Sequence, residues 1–486
     1  MTATRPLRTA AALAAALLTL ASCSEREEGP LRVVAIGGPP VLANPNRDPV
    51  GPGSSLLLEA VAQGLVRFDA AGEIEPALAQ SWIVSDDGRR YTFRLRRTLW
   101  ARGERVTAKQ VVEHLQAVMG RASRNPLRNV LGAIDQIEAM TDQVLEIRLK
   151  SPRPNFLQLL AQPELAILMN NEGTGPYRLG GEMEGALRLV PPPADEDADV
   201  ESDRPPEILL RADPAPVAIA RFAQGQVDLV AGGTLGDLPM LRAAALPDGR
   251  AVFDPARGLL GLSFMRSDGL LAEAPFRQAL SMSIDREAML ARFNLPGLQP
   301  RTSILPGGLA EAPAPAAPDW STAPLPTRRE VAARIVADIA DVERPRLRIA
   351  MPEGPGYRII FAHIRRDWRH IGVEAVAVGW GEEAELRLID EVAPADLVPW
   401  FLRHFLCEAS RICDQGADLF IEAARIAPNP ADRQSLLAQA DRTLNGITAF
   451  IPLGSPVRWS LRSPRLNGLR ANVFARHALT ELIEAE

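Results

Sequence analysis

The apolar positions of this chain change period from segment to segment, which predicts a mixed α/β fold. Residues 31–36 form a short continuous apolar run typical of a buried strand. Residues 54–65 repeat apolar side chains at helical spacing. Between residues 83 and 95, apolar and polar side chains alternate around Asp86-Asp87-Gly88, and this pattern predicts a β-hairpin. Strand and helix signals therefore follow one another from the beginning of the chain.

Helix-start signals mark two further segments. Thr107 followed by Gln110 has the form of a capping box at the start of a helix. Pro275 precedes apolar residues that share one helical face, so it predicts a helix beginning there. Near the end, residues 451–453 and 457–461 are interpreted as strands that return to the core.

Proline-rich segments interrupt this pattern twice. Residues 191–206 are acidic and proline-rich, which favours a solvated loop between two strands. Residues 306–327 are rich in proline and alanine and are expected to form a second excursion over the surface.

The amino-terminal segment has the form of an export signal. Arg5 and Arg8 precede an apolar run, residues 10–20, that is too short to span a bilayer. The run ends in Leu-Ala-Ser-Cys, which resembles a bacterial lipobox and implies cleavage before Cys23 and a lipid on its sulfur. The alternative is an ordinary secretory signal cleaved at a nearby small residue. Both interpretations export the protein, with residues 1–22 as the signal peptide and residues 23–30 as a tether.

Length, charge and cysteine content narrow the function classes. At 486 residues the chain is too long for a single core, so at least two domains are expected. A net charge of −6 disfavours nucleic acid as a partner. With Cys23 lipidated, Cys407 and Cys413 remain as an even pair that either closes a small disulfide loop or stays as two thiols in a helix. A metal site is disfavoured, because only His404 lies near this pair.

No catalytic motif is recognisable. The chain lacks both Gly-x-Ser-x-Gly and His-Glu-x-x-His, and its five histidines are scattered. His363 and His370 are expected on an amphipathic helix with Ile364 and Trp368 facing inward. We therefore predict neither enzymatic activity nor a cofactor, with an exported hydrolase as the weakest alternative.

Seven segments of the chain together form a recognisable pattern. They are GLVRFDAAGEIEPALAQSW (64–82), SDDGRRYTFRLR (85–96), VTAKQVV (106–112), TGPYRL (174–179), GQVDLV (225–230), FRQALSMSIDRE (276–287) and FIPLGSPVRW (450–459). In this order, they resemble signatures of the peptide/nickel class (family 5) of periplasmic solute-binding proteins of ABC importers. They span most of the mature chain, and several matches in order are more specific than any one alone.

The resemblance implies an α/β fold of two lobes joined by a hinge, with an additional domain on the first lobe. Lobe I is expected to hold residues 31–44, 171–262 and 450–486, the additional domain residues 45–170, and lobe II residues 263–449. The hinge crossings are expected near 258–265 and 445–453. Arg277 and Asp285, within one of the matching segments, are interpreted as a solvated helix face.

The implied function is capture of a small ligand, peptide-like or another polar solute, between the lobes. The ligand is then delivered to ABC permease subunits in the inner membrane by hinge closure, for which periplasmic binding proteins are a standard example. The expected product is a monomeric periplasmic lipoprotein, held at the membrane by its lipid anchor. A binding protein repurposed as a sensor or chaperone, without a dedicated importer, is the alternative.

Ligand contacts are predicted from one further likeness. Peptide binders of this family often carry a tryptophan followed three residues later by an aspartate that pairs with the ligand's amino terminus. Here Trp400 matches the tryptophan, and Arg403 stands where the aspartate is expected, so an acidic ligand is hypothesised. If the register slips, Arg403 lies on the surface and Trp400 in the core. Trp380 and Tyr357 are lesser candidates.

Overall fold

The computed structural model describes residues 29–100, 102–153, 155–192, 205–309, 312–340 and 344–483. The predicted signal peptide, Cys23 and most of the tether lie outside these ranges. None of the helices in the described ranges has the length and apolar character that a membrane crossing requires. Strands and helices are numbered below along the chain.

A seven-stranded sheet forms the first lobe, in the order β12-β18-β11-β1-β10-β9-β8. Its central strand β1 is parallel to β10 and β11, while β9 and β18 pair antiparallel with their neighbours. The predicted first strand is therefore confirmed, and it lies at the middle of the sheet. The strands are β1 Leu31–Ile36, β8 Arg178–Met183, β9 Ala186–Val190, β10 Ile208–Asp213, β11 Leu229–Thr234, β12 Ala251–Asp254 and β18 Arg458–Arg462.

Helices cover both faces of this sheet, because its central strands are apolar on both sides. Leu31, Val33 and Ala35 of β1 pack with the helix predicted near residues 54–65, while Val34 and Ile36 pack on the opposite face. The helices are α1 Pro52–Val61, α4 Ala215–Ala223 and α5 Leu238–Ala243.

The additional domain is built on a four-stranded antiparallel sheet in the order β4-β5-β7-β6. The predicted hairpin is confirmed as β4 and β5, with Val84 opposite Tyr91. The capping box is also confirmed: Thr107 accepts from the Gln110 N–H, and the Gln110 side chain accepts from the Thr107 N–H at 2.9 Å. The elements are β2 Val66–Phe68, β3 Ile74–Pro76, β4 Ala79–Val84, β5 Arg90–Leu95, α2 Ala108–Met119, β6 Ile134–Thr141, β7 Val144–Leu149 and α3 Phe156–Leu160.

A five-stranded sheet in the order β15-β14-β16-β13-β17 forms the second lobe. Strands β14, β15 and β16 are parallel, and β13 is antiparallel to both β16 and β17. The elements are β13 Gly258–Phe264, α6 Ala274–Met282, α7 Arg286–Ala291, α8 Leu325–Ile339, β14 Arg346–Met351, α9 Pro355–Arg369, β15 Glu374–Gly379, β16 Leu386–Val392, α10 Val398–Arg403, α11 Gln415–Ile426, α12 Pro430–Gly446 and β17 Phe450–Gly454.

The chain passes between the two sheets at residues 255–257 and again at residues 455–457. Strands β13 and β17 pair within the second sheet over most of their length, with Leu262 opposite Ile451. The two passages lie just outside the segments expected to carry the hinge, residues 258–265 and 445–453.

One interpretation from the sequence is wrong. Arg277 does not lie on a solvated face, because its side chain is only 4% exposed. Its guanidinium donates to the carbonyl oxygens of Ile447, Leu271 and Ala272. Three carbonyl acceptors satisfy a buried guanidinium, so this motif residue ties helix α6 to the end of α12. His363 and His370 do lie at the predicted helix, α9, with Ile364 and Trp368 buried beneath it.

Candidate functional site

The two lobes meet where the parallel strands of each sheet end. The loop after β11 packs against the start of α9, and the Gly356 N–H donates to the Gly236 carbonyl at 2.8 Å. A Cβ atom on Gly356 would lie 2.0 Å from the carbonyl oxygen of Leu235. Only glycine permits this approach, so the sequence allows the two backbones to touch.

A buried polar cluster lies beside this backbone contact. Asp390 of β16 accepts from the Tyr357 hydroxyl at 2.7 Å and from the Arg458 guanidinium at 2.8 Å. Arg458 belongs to the first-lobe sheet, whereas Tyr357 and Asp390 belong to the second lobe. Burial, together with the charge of Asp390, raises the pKa of Tyr357, so this hydroxyl remains a donor. We call Tyr357, Asp390 and Arg458 the interlobe cluster.

The additional domain also contacts the second lobe, mainly through side chains that bind main-chain atoms. Asn155 donates to the Asp396 carbonyl at 2.8 Å, and the Asp396 N–H donates to Gln158 at 3.0 Å. The Gln162 amide donates to the carbonyl of Pro394. These bonds hold helix α3 and its flanking residues against the segment between β16 and α10.

Trp400 and Arg403 lie together on α10, at the edge of the same interface. The Trp400 side chain is buried, and its ring contacts Phe401 and His404 edge-on. Arg403 donates to the carbonyl of Asn129, in the additional domain, at 2.5 Å and to Glu422 at 2.9 Å. In this arrangement the guanidinium connects the second lobe to the additional domain.

A cavity of about 30 Å³ lies beside Arg403. Its wall includes Arg153 and Phe156 from the additional domain and Leu397 and Arg425 from the second lobe. Burial lowers the pKa of Arg403, and Glu422 opposes that effect. Three guanidinium groups around an otherwise largely apolar space are suited to an anionic or hydrogen-bond-accepting guest.

The other predicted contacts lie elsewhere. Tyr357 belongs to the interlobe cluster and is 5% exposed. Trp380 follows the end of β15, is 45% exposed, and lies over the guanidinium of Arg387 at 4.8 Å. The four predicted residues therefore occupy three places, of which only the Trp400–Arg403 pair shares one element.

Cys407 and Cys413 follow α10, and their sulfur atoms are bonded in the structure. His404 does not face them through its ring nitrogens, which contact the Trp400 carbonyl and, at 3.2 Å, the Glu391 carboxylate. The hydrogen bond from His404 lowers the pKa of Glu391. Within the described ranges, no group of three or more His, Cys, Asp or Glu side chains is arranged to hold a metal ion.

Sequence reasoning missed the residues that join the lobes. Asp390 carried no distinctive signal, because its strand β16 also contains the charged residues Arg387 and Glu391. Its partner Arg458 lies 68 positions away and could not be identified from spacing. Asn155 and Gln162 carried no recognisable signal.

Comparison with known proteins identifies the family. The model of bacterial extracellular solute-binding proteins, family 5, matches residues 73–379. The chain belongs to this family. It is a solute-binding protein of the type that serves ABC importers and acts outside the cytoplasm, and it is not an enzyme. The resemblance inferred from the seven segments is confirmed.

Two relatives show how far the similarity extends. The chain is 21% identical over 480 residues to a dipeptide-binding protein of Pseudomonas aeruginosa, covering 85% of this chain and 87% of the relative. It is 34% identical over 113 residues to the nickel-binding periplasmic protein of Escherichia coli. This second match spans only 23% of this chain and 22% of that relative's length.

Solved structures confirm the two-lobed α/β fold. The murein tripeptide binding protein MppA of Escherichia coli superimposes with a TM-score of 0.80 at 19% identity, covering 94% of this chain and 99% of that one. The unliganded open form of MppA gives a TM-score of 0.63, also at 19% identity, over 91% of this chain and 94% of that one.

Proposed function

We propose that this family 5 protein captures a small polar solute between its two lobes and passes it to an ABC permease. The interlobe contact carries the proposal, because the hydrogen bond between Gly356 and Gly236 and the bonds from α3 both require the lobes to be close together. The lower TM-score with an open form supports the interpretation that the arrangement is a closed one. A ligand that binds the closed form more tightly than the open form would shift the population toward closure.

The ligand class follows in part from the relatives, which bind dipeptides, murein tripeptide and nickel according to their names. We propose a peptide-like or similar polar solute. Arg403 at the position expected for an amine-binding aspartate argues against recognition of a peptide amino terminus there. Its hydrogen bond to the Asn129 carbonyl of the additional domain gives it a second role, as a contact that stabilises closure.

The first experiment is thermal unfolding of the protein from Ser24 onward, in the presence of peptides, amino acids, acidic metabolites, sugars and nickel. A ligand present at a hundred times its dissociation constant adds about 2.7 kcal/mol to the free energy of unfolding. Small-angle scattering with and without that ligand then measures closure. If no member of this panel binds, the proposed ligand classes are wrong.

Arg403→Met separates the two roles of Arg403. If Arg403 binds an acidic ligand directly, the variant loses binding to that ligand but keeps the unliganded scattering profile. If Arg403 instead stabilises closure, every ligand binds more weakly and the unliganded protein expands. Arg334→Met, on the exposed side of α8, is the matched control, since its side chain lies at the surface.

We further propose that Cys23 carries a lipid and holds the protein in the periplasm, at the periplasmic face of the inner or the outer membrane. Support comes from the residues before Cys23 and from a family that acts outside the cytoplasm. Mass spectrometry of the protein expressed with its signal segment should show a diacylglyceryl adduct on Cys23. Cys23→Ala in a chain whose residues 1–22 are replaced by an ordinary cleavable secretory signal should release the protein to the soluble fraction, whereas persistence at the membrane would contradict a lipid anchor.

A further inference from the structure

Two small cavities flank helix α1, and both are lined by Glu59 and Arg476. The first, about 50 Å³, lies against the additional domain and also includes Gln162 in its wall. The second, about 80 Å³, lies beside the ends of β12 and β18 and includes Asp254 and His477. Among the described residues, none from the second lobe lines either cavity, although Arg458 of the interlobe cluster lines the second cavity and Gln162 of the first cavity also bonds to the second lobe.

The polar groups left unmatched around these cavities are hydrogen-bond acceptors. No described residue donates a hydrogen bond to the Glu59 carboxylate. Oε1 of Gln162 and Oε2 of Glu164 are buried and likewise without a donor among the described residues. The Gln162 amide is fixed in orientation, because its nitrogen faces the carbonyl oxygens of Gln158 and Pro394. Buried acceptors are stabilised by hydrogen-bond donors, so a molecule that brings N–H or O–H groups would be favoured beside these oxygens.

The charged groups around Glu59 include more carboxylates than guanidinium groups. The Arg476 guanidinium donates to Glu164 at 3.2 Å and to Ser55 at 2.7 Å, so two carboxylates share one cation. Nε2 of His477 lies 3.1 Å from Oδ2 of the Asp254 carboxylate. Burial raises the pKa of Glu59 to about 7, because Arg476 and His477 offset only part of the desolvation.

Arg67 also lines the first cavity, but its guanidinium does not donate to Glu59. Its guanidinium contacts Glu75, donates to Glu481 at 3.1 Å, and donates to Thr480 at 3.1 Å. Two carboxylates again face one guanidinium. A compact group that carries a positive charge together with several N–H donors would complement these carboxylates and acceptors.

We propose that the Glu59 cavities bind the ammonium group of a small organic amine, with Glu59 and Gln162 as its acceptors. An ammonium ion offers three N–H donors and one positive charge, which matches the unpartnered acceptors and the excess of carboxylates. The site is additional to the solute site between the lobes. Its occupancy does not require the proposed transport function.

The test is calorimetric titration of the protein from Ser24 onward with methylammonium, at pH 8 in an amine-free sodium phosphate buffer. Saturable binding is expected for methylammonium and not for tetramethylammonium, which has no N–H donor. Glu59→Gln should weaken the affinity about ten- to a hundredfold, the range of a charge-assisted hydrogen bond. Glu113→Gln, at an exposed position of α2, should leave the affinity unchanged.

A second measurement uses only the wild-type chain. Because Glu59 is about half protonated at pH 7, methylammonium binding should release about half a proton at that pH. Titrations in two buffers of different ionisation enthalpy measure this number. Equal binding of tetramethylammonium, full affinity in Glu59→Gln, or absence of both saturable heat and proton release in the folded wild type would each overturn the proposal.

Discussion

Replacing Glu59 by glutamine should stabilise the unliganded protein at alkaline pH but not at acidic pH. The folded-state pKa of about 7 lies above the ordinary value of 4.5. The folded state therefore holds the Glu59 proton more tightly than the unfolded state does. Stability is lost as the pH rises from about 4.5 to about 7, and the full penalty is present above that range. Glutamine keeps the size of the side chain and removes the titration.

The magnitude follows from the size of the pKa shift. A rise from 4.5 to about 7 at roughly 1.4 kcal/mol per unit gives a penalty of about 3 kcal/mol above pH 8. An unfolding entropy of about 2.1 cal/mol/K per residue, over more than 400 residues, converts this into a Tm rise of roughly 3 °C. The rise will be larger if the first lobe unfolds as a separate unit.

The assay is scanning calorimetry of wild type and Glu59→Gln from pH 4.5 to pH 9 in buffers without amines. The difference in Tm should be near zero at the acidic end and reach its plateau above pH 8. Glu113→Gln supplies the control, because its exposed carboxylate carries no burial penalty. A difference that does not change with pH, or a destabilised Glu59→Gln at pH 8, would refute the reasoning.

Three further predictions concern the lobes and the disulfide. Asp390→Asn should lower the free energy of unfolding by about 3–5 kcal/mol, because Arg458 is left without its buried carboxylate partner. Asp268→Asn, which removes an exposed ion pair, should change it far less, and denaturant titration compares the two variants. Gly356→Ala should expand the unliganded protein in small-angle scattering, since a carbonyl oxygen lies 2.0 Å from the new Cβ, and an unchanged profile would exclude the closed contact in solution. Replacing Cys407 and Cys413 by serine should lower the free energy of unfolding by about 2 kcal/mol, the value for closure of so short a loop, with the reduced wild type as the comparison.

Local signals accounted for the elements that sequence could predict. The hairpin of β4 and β5 needed only a turn and alternating side chains, and the capping box at Thr107 needed only neighbours three positions apart. Arg277 was misassigned, because its charge suggested solvent while its three carbonyl partners come from distant or irregular segments. Propensity and spacing cannot identify such partners.

The candidate site was less predictable for the same reason. Asp390 and Arg458 meet only because two sheets face each other, and Glu59 meets Arg476 across more than 400 positions. A ligand-binding role for Arg403 is a hypothesis from a likeness in sequence, whereas its contact with Asn129 depends on how the additional domain is placed. Tertiary placement, which no local pattern contains, decides each of these contacts.

The two passages between the lobes run side by side, and this restricts how the molecule can move. Asp254 pairs with Arg458 just before the passages, and Leu260 pairs with Gly454 just after them. The two connections therefore form a narrow two-stranded ribbon, which bends readily out of its plane and resists shear and rotation within it. Opening and closing should follow essentially one angular coordinate. A single distance between labels on the two lobes would then report the whole motion, and a population of two distances would report the two end states directly.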